Sequence, residues 1–206
     1  MNGKLKIKMT VDVLMIVLLM LLMSFELVGD EAHEWIGMGM FLLHHFLNRK
    51  WTGNLRKGKY TPFRTLQVVL VVLLLLAMSG SMISGVILSN YLFKFVKIKG
   101  AANLAGTVHM LCAYWGFLLM SIHLGIHWNM VVGMAALIVI YGIYAFEKRN
   151  IADYLFLRSH FVFFDFGEKL FWFLFDYVAV MGMIVAVTYY VCRLMAKRQV
   201  IRKEQA

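Results

Sequence analysis

The stretch "HMLCAYWGFLLMSIHLGIHW", His109–Trp128, decides how this chain reads. It contains no Asp, Glu, Lys or Arg, yet it carries three histidines: His109, His123 and His127. A run of ~20 apolar residues is long enough to cross a bilayer as a helix. Burying imidazole in such a place is costly unless its nitrogens find partners. The segment is therefore expected to be a spanning helix whose histidines are bound to something.

The rest of the chain is of the same kind. Of its 206 residues, 62% are hydrophobic and 16% charged, with a mean hydropathy of +0.75. Soluble domains are nearer half apolar and about a quarter charged. The charges cluster between long apolar runs, as in an integral membrane protein. Candidate spanning helices fall at 10–28, 33–48, 66–89, 104–127, 130–146 and 170–192, with no room for a soluble domain. The expected fold is thus all-α: a single membrane-embedded helical bundle over 1–206, of about six transmembrane helices, with a four-helix cofactor-binding core. The N-terminus has a basic start and an apolar run like a signal peptide. "ELVGDEAHEW" after it offers no small-x-small cleavage site, so the run is kept as the first helix. Between the fourth and fifth candidates stands only "HWNMVV", which requires a tight turn near Asn129.

The net charge of +10 points to membrane topology, not to nucleic acid. The N-terminal tail, the 49–64 loop and the C-terminal tail together hold fourteen Lys and Arg, against seven on the other side. The basic side is cytoplasmic, so both termini are expected there. Trp35, Trp51, Trp115, Trp128 and Trp172 lie mostly near predicted helix ends, as interfacial aromatics do. The 16 methionines are spread along every apolar run and read as packing residues. Cys112 and Cys192 stand alone in apolar runs, and no CxxC suggests zinc or covalent haem attachment.

Helical geometry now constrains the histidines. His109 and His123 are about 40° apart around the helix and ~21 Å apart along it. In "HEWIGMGMFLLHH", His33 and His44 are about 20° apart and ~17 Å along the axis, whereas His45 is rotated by about 120° from His33. Both helices run from outside to inside, so His33 and His109 share the outer depth and His44 and His123 the inner one. Imidazole is a good ligand for iron, and helix bundles hold cofactors between facing helices. The expectation is two non-covalent b-type haems, the outer on His33 and His109, the inner on His44 and His123. His45 and His127 remain open as alternative inner ligands. His127 could also hydrogen-bond a propionate, line a quinone pocket or form half of a zinc site with His123. Gly37, one turn below His33, and Gly116, midway between His109 and His123, would let a flat macrocycle approach the backbone. Helix packing is the other use for such glycines. His160, in "RSHFVFFDFGEK", reads as an exposed or interfacial loop residue.

"HEWIGMGMF", "HHFLNRKWTGNLRKGKYTPFR", "HMLCAYWGFLLMSIHLGIHW" and "HFVFFDFGEKLFWFLFDY" resemble the flavinylation-associated cytochrome family of bacteria and archaea, over nearly the whole chain. The resemblance implies a membrane cytochrome b related to the gamma subunits of formate dehydrogenase and hydrogenase. It implies electron transfer between the quinone pool and an extracytosolic protein carrying covalent FMN, in a prokaryotic cytoplasmic membrane. It marks His33, His44, His109 and His123 as haem ligands, and the asparagine in "HHFLNRKW" favours His44. The histidine interval in the second helix is about one turn shorter than the family's usual pattern, and the connection after "HLGIHW" is shorter than the family's basic segment.

Menaquinol or another quinol is then the expected small-molecule partner. Its oxidation near the outer surface needs a proton acceptor. Asp176, inside the last helix, and Glu34 are the candidates, since an intramembrane carboxylate is a functional hypothesis by default. "FVFFDFGE" is a candidate pocket wall or docking segment, or simply an interfacial aromatic belt with solvated acids. Lys94, Lys97 and Lys99 could neutralise outer propionates, Arg49 and Lys50 inner ones. Two other classes compete: a histidine-based transporter or channel for metal ions or protons, and a haem-free membrane anchor or assembly protein. The first lacks the broken helices and internal repeats usual in transporters.

Overall fold

The computed structural model describes residues 3–53, 60–96, 98, 100–127 and 135–204, with the side chains of 3–9, 12, 48, 50–53, 127, 135–136 and 197–204 left aside. Among the described residues every regular element is helical: α1 Gly3–Met23, α2 Phe25–Val28, α3 Asp30–Gly53, α4 Pro62–Leu88, α5 Ala102–His127, α6 Ala135–Lys148, α7 Ile151–Leu155 and α8 Leu170–Glu204.

Local sequence explains most of the boundaries. Thr61 has extended backbone angles and its hydroxyl accepts a hydrogen bond from Arg64 N at 3.3 Å. With Pro62 at the first helical position, this is a well-formed N-terminus for α4. The predicted 10–28 helix is broken at Ser24, whose hydroxyl donates back to the Leu21 carbonyl at 2.8 Å. Such local side-chain bonds compete with the helical ladder. Gly29, at φ +93°, then turns the chain into α3, a conformation glycine tolerates and other residues resist. α3 starts three residues earlier than expected and runs to Gly53. α8 likewise continues through the basic tail to Glu204. The turn expected near Asn129 lies outside the described residues.

Among the described residues, three helices are long and apolar enough to cross a membrane: Pro62–Leu88, Ala102–Ile126 and Leu170–Ala196. Val13–Met23 in α1 is a shorter apolar stretch. α6 has 14 residues, ~21 Å of helix. α3 is long enough but carries Asp30, Glu31, Glu34 and Arg49 among its apolar residues. The chain is accordingly a membrane protein, and its surface agrees. Leu76 and Ile83 of α4, Leu137 and Ile140 of α6, and Val178 and Leu194 of α8 all stand exposed. Rows of exposed aliphatics on long helices mark a surface that meets lipid.

α4 packs along α5, α5 along α8 and α8 along α6, while α3 touches α1 and α4. Backbones approach closely at small residues, as membrane helices do. A Cβ built on Gly80 would stand 2.6 Å from Cys112 Sγ. One on Gly142 would stand 2.5 Å from Met183 Cβ and 2.7 Å from the Ala179 carbonyl oxygen. The core lies between α5 and α8, around Phe117, Tyr177, Val180 and Met181, with Leu19 and Met20 of α1 joining it.

Candidate functional site

At one end of the bundle the structure brings together the end of α1, α2, the start of α3, the end of α4, the start of α5 and the loop from His160 to Phe164. They enclose a cavity of about 480 Å³. That lies within the roughly 300–1,000 Å³ of small-molecule and cofactor pockets. Its wall is mostly apolar, and two imidazoles, His33 of α3 and His109 of α5, line it in edge-to-face contact.

The two rings are 6.0 Å apart, centre to centre, at an interplanar angle of 65°. His109 is held by α4. Its Nδ1 lies 2.9 Å from the Ser81 carbonyl oxygen and 3.3 Å from Ser84 Oγ. The carbonyl can only accept, so His109 Nδ1 carries the proton and donates it, and Nε2 is left as the basic nitrogen. Ligand histidines commonly have this backbone-carbonyl partner on the other ring nitrogen, which fixes tautomer and orientation. Ser84 is itself fixed by donating to the Gly80 carbonyl at 2.7 Å.

His33 has no such anchor. Its Nδ1 is the one buried side-chain polar atom, among the described residues, without a hydrogen-bond partner. An orphaned buried nitrogen is rare and calls for a cause. Phe25 packs edge-on against the His33 ring at 5.8 Å and against Phe164 at 5.1 Å. The loop therefore closes over the histidine side of the cavity. Gly85 offers His109 a flat surface: a Cβ there would stand 3.4 Å from the imidazole Cε1. Apolar walls, one imidazole oriented by a carbonyl and one with an uncommitted nitrogen make His33 and His109 the residues that could hold a cofactor or metal here.

Gly37 lines the cavity. Gly116 does not; it faces α4, where a Cβ would meet Ala77 and Met78 at 4.0 Å. His44 and His123 are half-buried on α3 and α5, and the cavity around His33 and His109 does not reach them. His45 Nδ1 lies 2.9 Å from the Phe41 carbonyl one turn back. The side chains of His127 and Lys50, and residues Lys97 and Lys99, lie outside the described residues. His160 belongs to the cavity wall.

Both expected carboxylates are engaged by other groups. Asp176 is 1% exposed. It accepts from Tyr141 at 2.7 Å, Lys148 at 2.7 Å and Arg149 Nε at 2.8 Å. Arg149 also clasps Glu168 through both terminal nitrogens, at 2.6 and 2.7 Å, and lies over the Phe173 ring at 4.6 Å. This paired cluster clamps the end of α6 to the start of α8. Arg149 beside it holds the Glu168 carboxyl below the usual carboxylate range. Glu34 lines the cavity, but its oxygens accept from Ser89 Oγ at 2.6 Å and from the backbone N–H groups of Asn90, Tyr91 and Leu92 at 2.8, 3.3 and 2.9 Å. Glu26 and Asp30 are the further acids on the cavity wall.

Sequence reasoning missed what α4 contributes. "MSGSMISG", Met78–Gly85, places five small residues in an otherwise leucine-rich helix. That cluster was the available signal for a close approach to a histidine. Among the described residues, no group of three or more His, Cys, Asp or Glu side chains converges as a bare metal ion would require. No protein-family model, curated protein or solved structure matches this chain.

Proposed function

We propose that the chain is a membrane cytochrome b that relays electrons between a quinol and an external redox protein, through two non-covalent haems. The observation that carries the reading is the His33–His109 pair: two imidazoles 6.0 Å apart in an apolar cavity, one oriented by a carbonyl and the other with an orphaned nitrogen. When bound, haem iron would supply one-electron redox chemistry. This chain's residues do the rest. His33 and His109 would hold the iron through a ring nitrogen each. The Ser81 carbonyl keeps Nε2 of His109 available, and Phe25, Phe164 and Val162 form part of the apolar wall.

The finer features rest on sequence. The matching depths of His44 and His123 support an inner haem. The six-span arrangement takes α1, α3 and α6 across the membrane beside the three long apolar helices. The basic loops favour a prokaryotic cytoplasmic membrane with both termini inside. The motif resemblance favours menaquinol or a related quinol, and an external FMN-carrying protein as the redox partner. Glu26 and Asp30, exposed at the cavity wall, are placed to accept a quinol proton more readily than Asp176, which is fully paired.

Reconstitution into vesicles tests this reading. Adding a reduced menaquinone analogue should bring up the reduced b-type bands, and an external flavin acceptor should then bleach them. Haem bands that stay oxidised with quinol and also fail to exchange electrons with reduced flavin would refute the relay.

A further inference from the structure

Glu34 is the neighbour of His33, and its two oxygens collect four donors from the segment that follows α4. Three are consecutive backbone N–H groups, at Asn90, Tyr91 and Leu92, and the fourth is the Ser89 hydroxyl. Ser89 in turn accepts from Phe93 N at 2.8 Å, so the carboxylate organises the whole turn. The same helix, two turns earlier, holds His109 through the Ser81 carbonyl and Ser84 Oγ. Both imidazoles are thus tied to α4: His109 directly, His33 through the adjacent Glu34. α3 otherwise makes little contact with α4, so a side-chain latch is what sets its rotation and height there.

We propose that Glu34 is a positioning residue that locks α3 to the end of α4 and so sets the His33–His109 spacing for the outer cofactor. This rests on reading the His33–His109 cavity as a haem site. The latch uses a carboxylate because a charged acceptor binds several N–H groups more strongly than a neutral one.

The test uses the full-length protein in detergent, with His109→Ala as the reference for loss of the outer haem. Glu34→Ala should halve the haem content, and its difference spectrum should match that of His109→Ala, with the remaining haem's bands and potential as in the native protein. Glu34→Gln, which keeps one acceptor oxygen, should retain both haems with the outer one's potential or low-spin electron resonance signature shifted. Native haem content and an unshifted outer haem in both variants would overturn the latch. Equal loss of both haems in Glu34→Ala would also overturn it, by showing a general folding role. Absence of haem from the native protein overturns the underlying cytochrome reading instead, so the two failures are distinct.

Discussion

His33 and His109 differ in how they are held, and that difference has consequences. His109 donates to a carbonyl of α4, whereas His33 is buried without a partner. Replacing either with Ala should remove one haem of two and leave the other. Ser84→Ala removes only the weaker, 3.3 Å contact, so haem should stay while the outer potential shifts, as other outer-partner changes do. At the inner site, His44→Ala should lose the haem and His45→Ala should keep it; the reverse would show that the register is off by one residue. Haem content and redox titration of the five variants check these outcomes. The approach of His33 to His109 could be anticipated from sequence because helical periodicity is a property of one segment at a time. Ser81, Ser84 and Ser89 could not, because their roles depend on the register between α4 and its neighbours, tens of residues away in the chain. Gly116 shows the same limit: its angle on α5 was computable, but which helix stood opposite was not.

The six longer helices all overlap the expected spans, since long apolar runs give an unambiguous signal. Their ends were less legible. Ser24 and Gly29 break the first predicted helix through local hydrogen bonding and a positive φ, and charged residues continue α3 and α8 beyond the apolar run. Packing between elements relies on small residues at fixed points. Gly142→Ala drives a methyl into the Ala179 carbonyl and Met183. It should destabilise the α6–α8 pair by about 1–3 kcal/mol, the usual cost of overpacking. Thermal unfolding in detergent would register it, and an unchanged midpoint would show that these helices are not so closely apposed. The cluster of Asp176, Lys148, Arg149 and Glu168 joins the same two helices. Arg149→Met leaves Glu168 only the 3.5 Å contact with Lys148, and Asp176 only Lys148 and the Tyr141 hydroxyl. The cost should be about 3 kcal/mol, the low end for breaking a buried pair, because Lys148 still neutralises Asp176. Asp176 stood out in the sequence as an acid inside an apolar run, but sequence could not show that its partners come from α6 and its end.

Viewed whole, the molecule keeps its acid–base anchors and its cavity at the same end. Glu168 titrates below the usual carboxylate range because Arg149 bonds it. A folded-state value below the unfolded one contributes stability that is complete above the unfolded value. That contribution is lost as the pH falls through the folded one. The protein should therefore hold its melting temperature from neutral pH down to the ordinary carboxylate range, roughly pH 4, and lose it below. In Glu168→Gln that loss should be smaller. The membrane character of the molecule was plain from composition, whereas which helices enclose a cavity depended on three-dimensional packing. The most direct measurement is the reduced-minus-oxidised spectrum and haem-to-protein ratio of the full-length protein, purified after haem-sufficient expression, beside His33→Ala and His109→Ala. The account predicts sharp b-type bands at two haems per chain, falling to one in each variant with the same haem missing. A native protein without such bands, or variants that keep both haems, would contradict it.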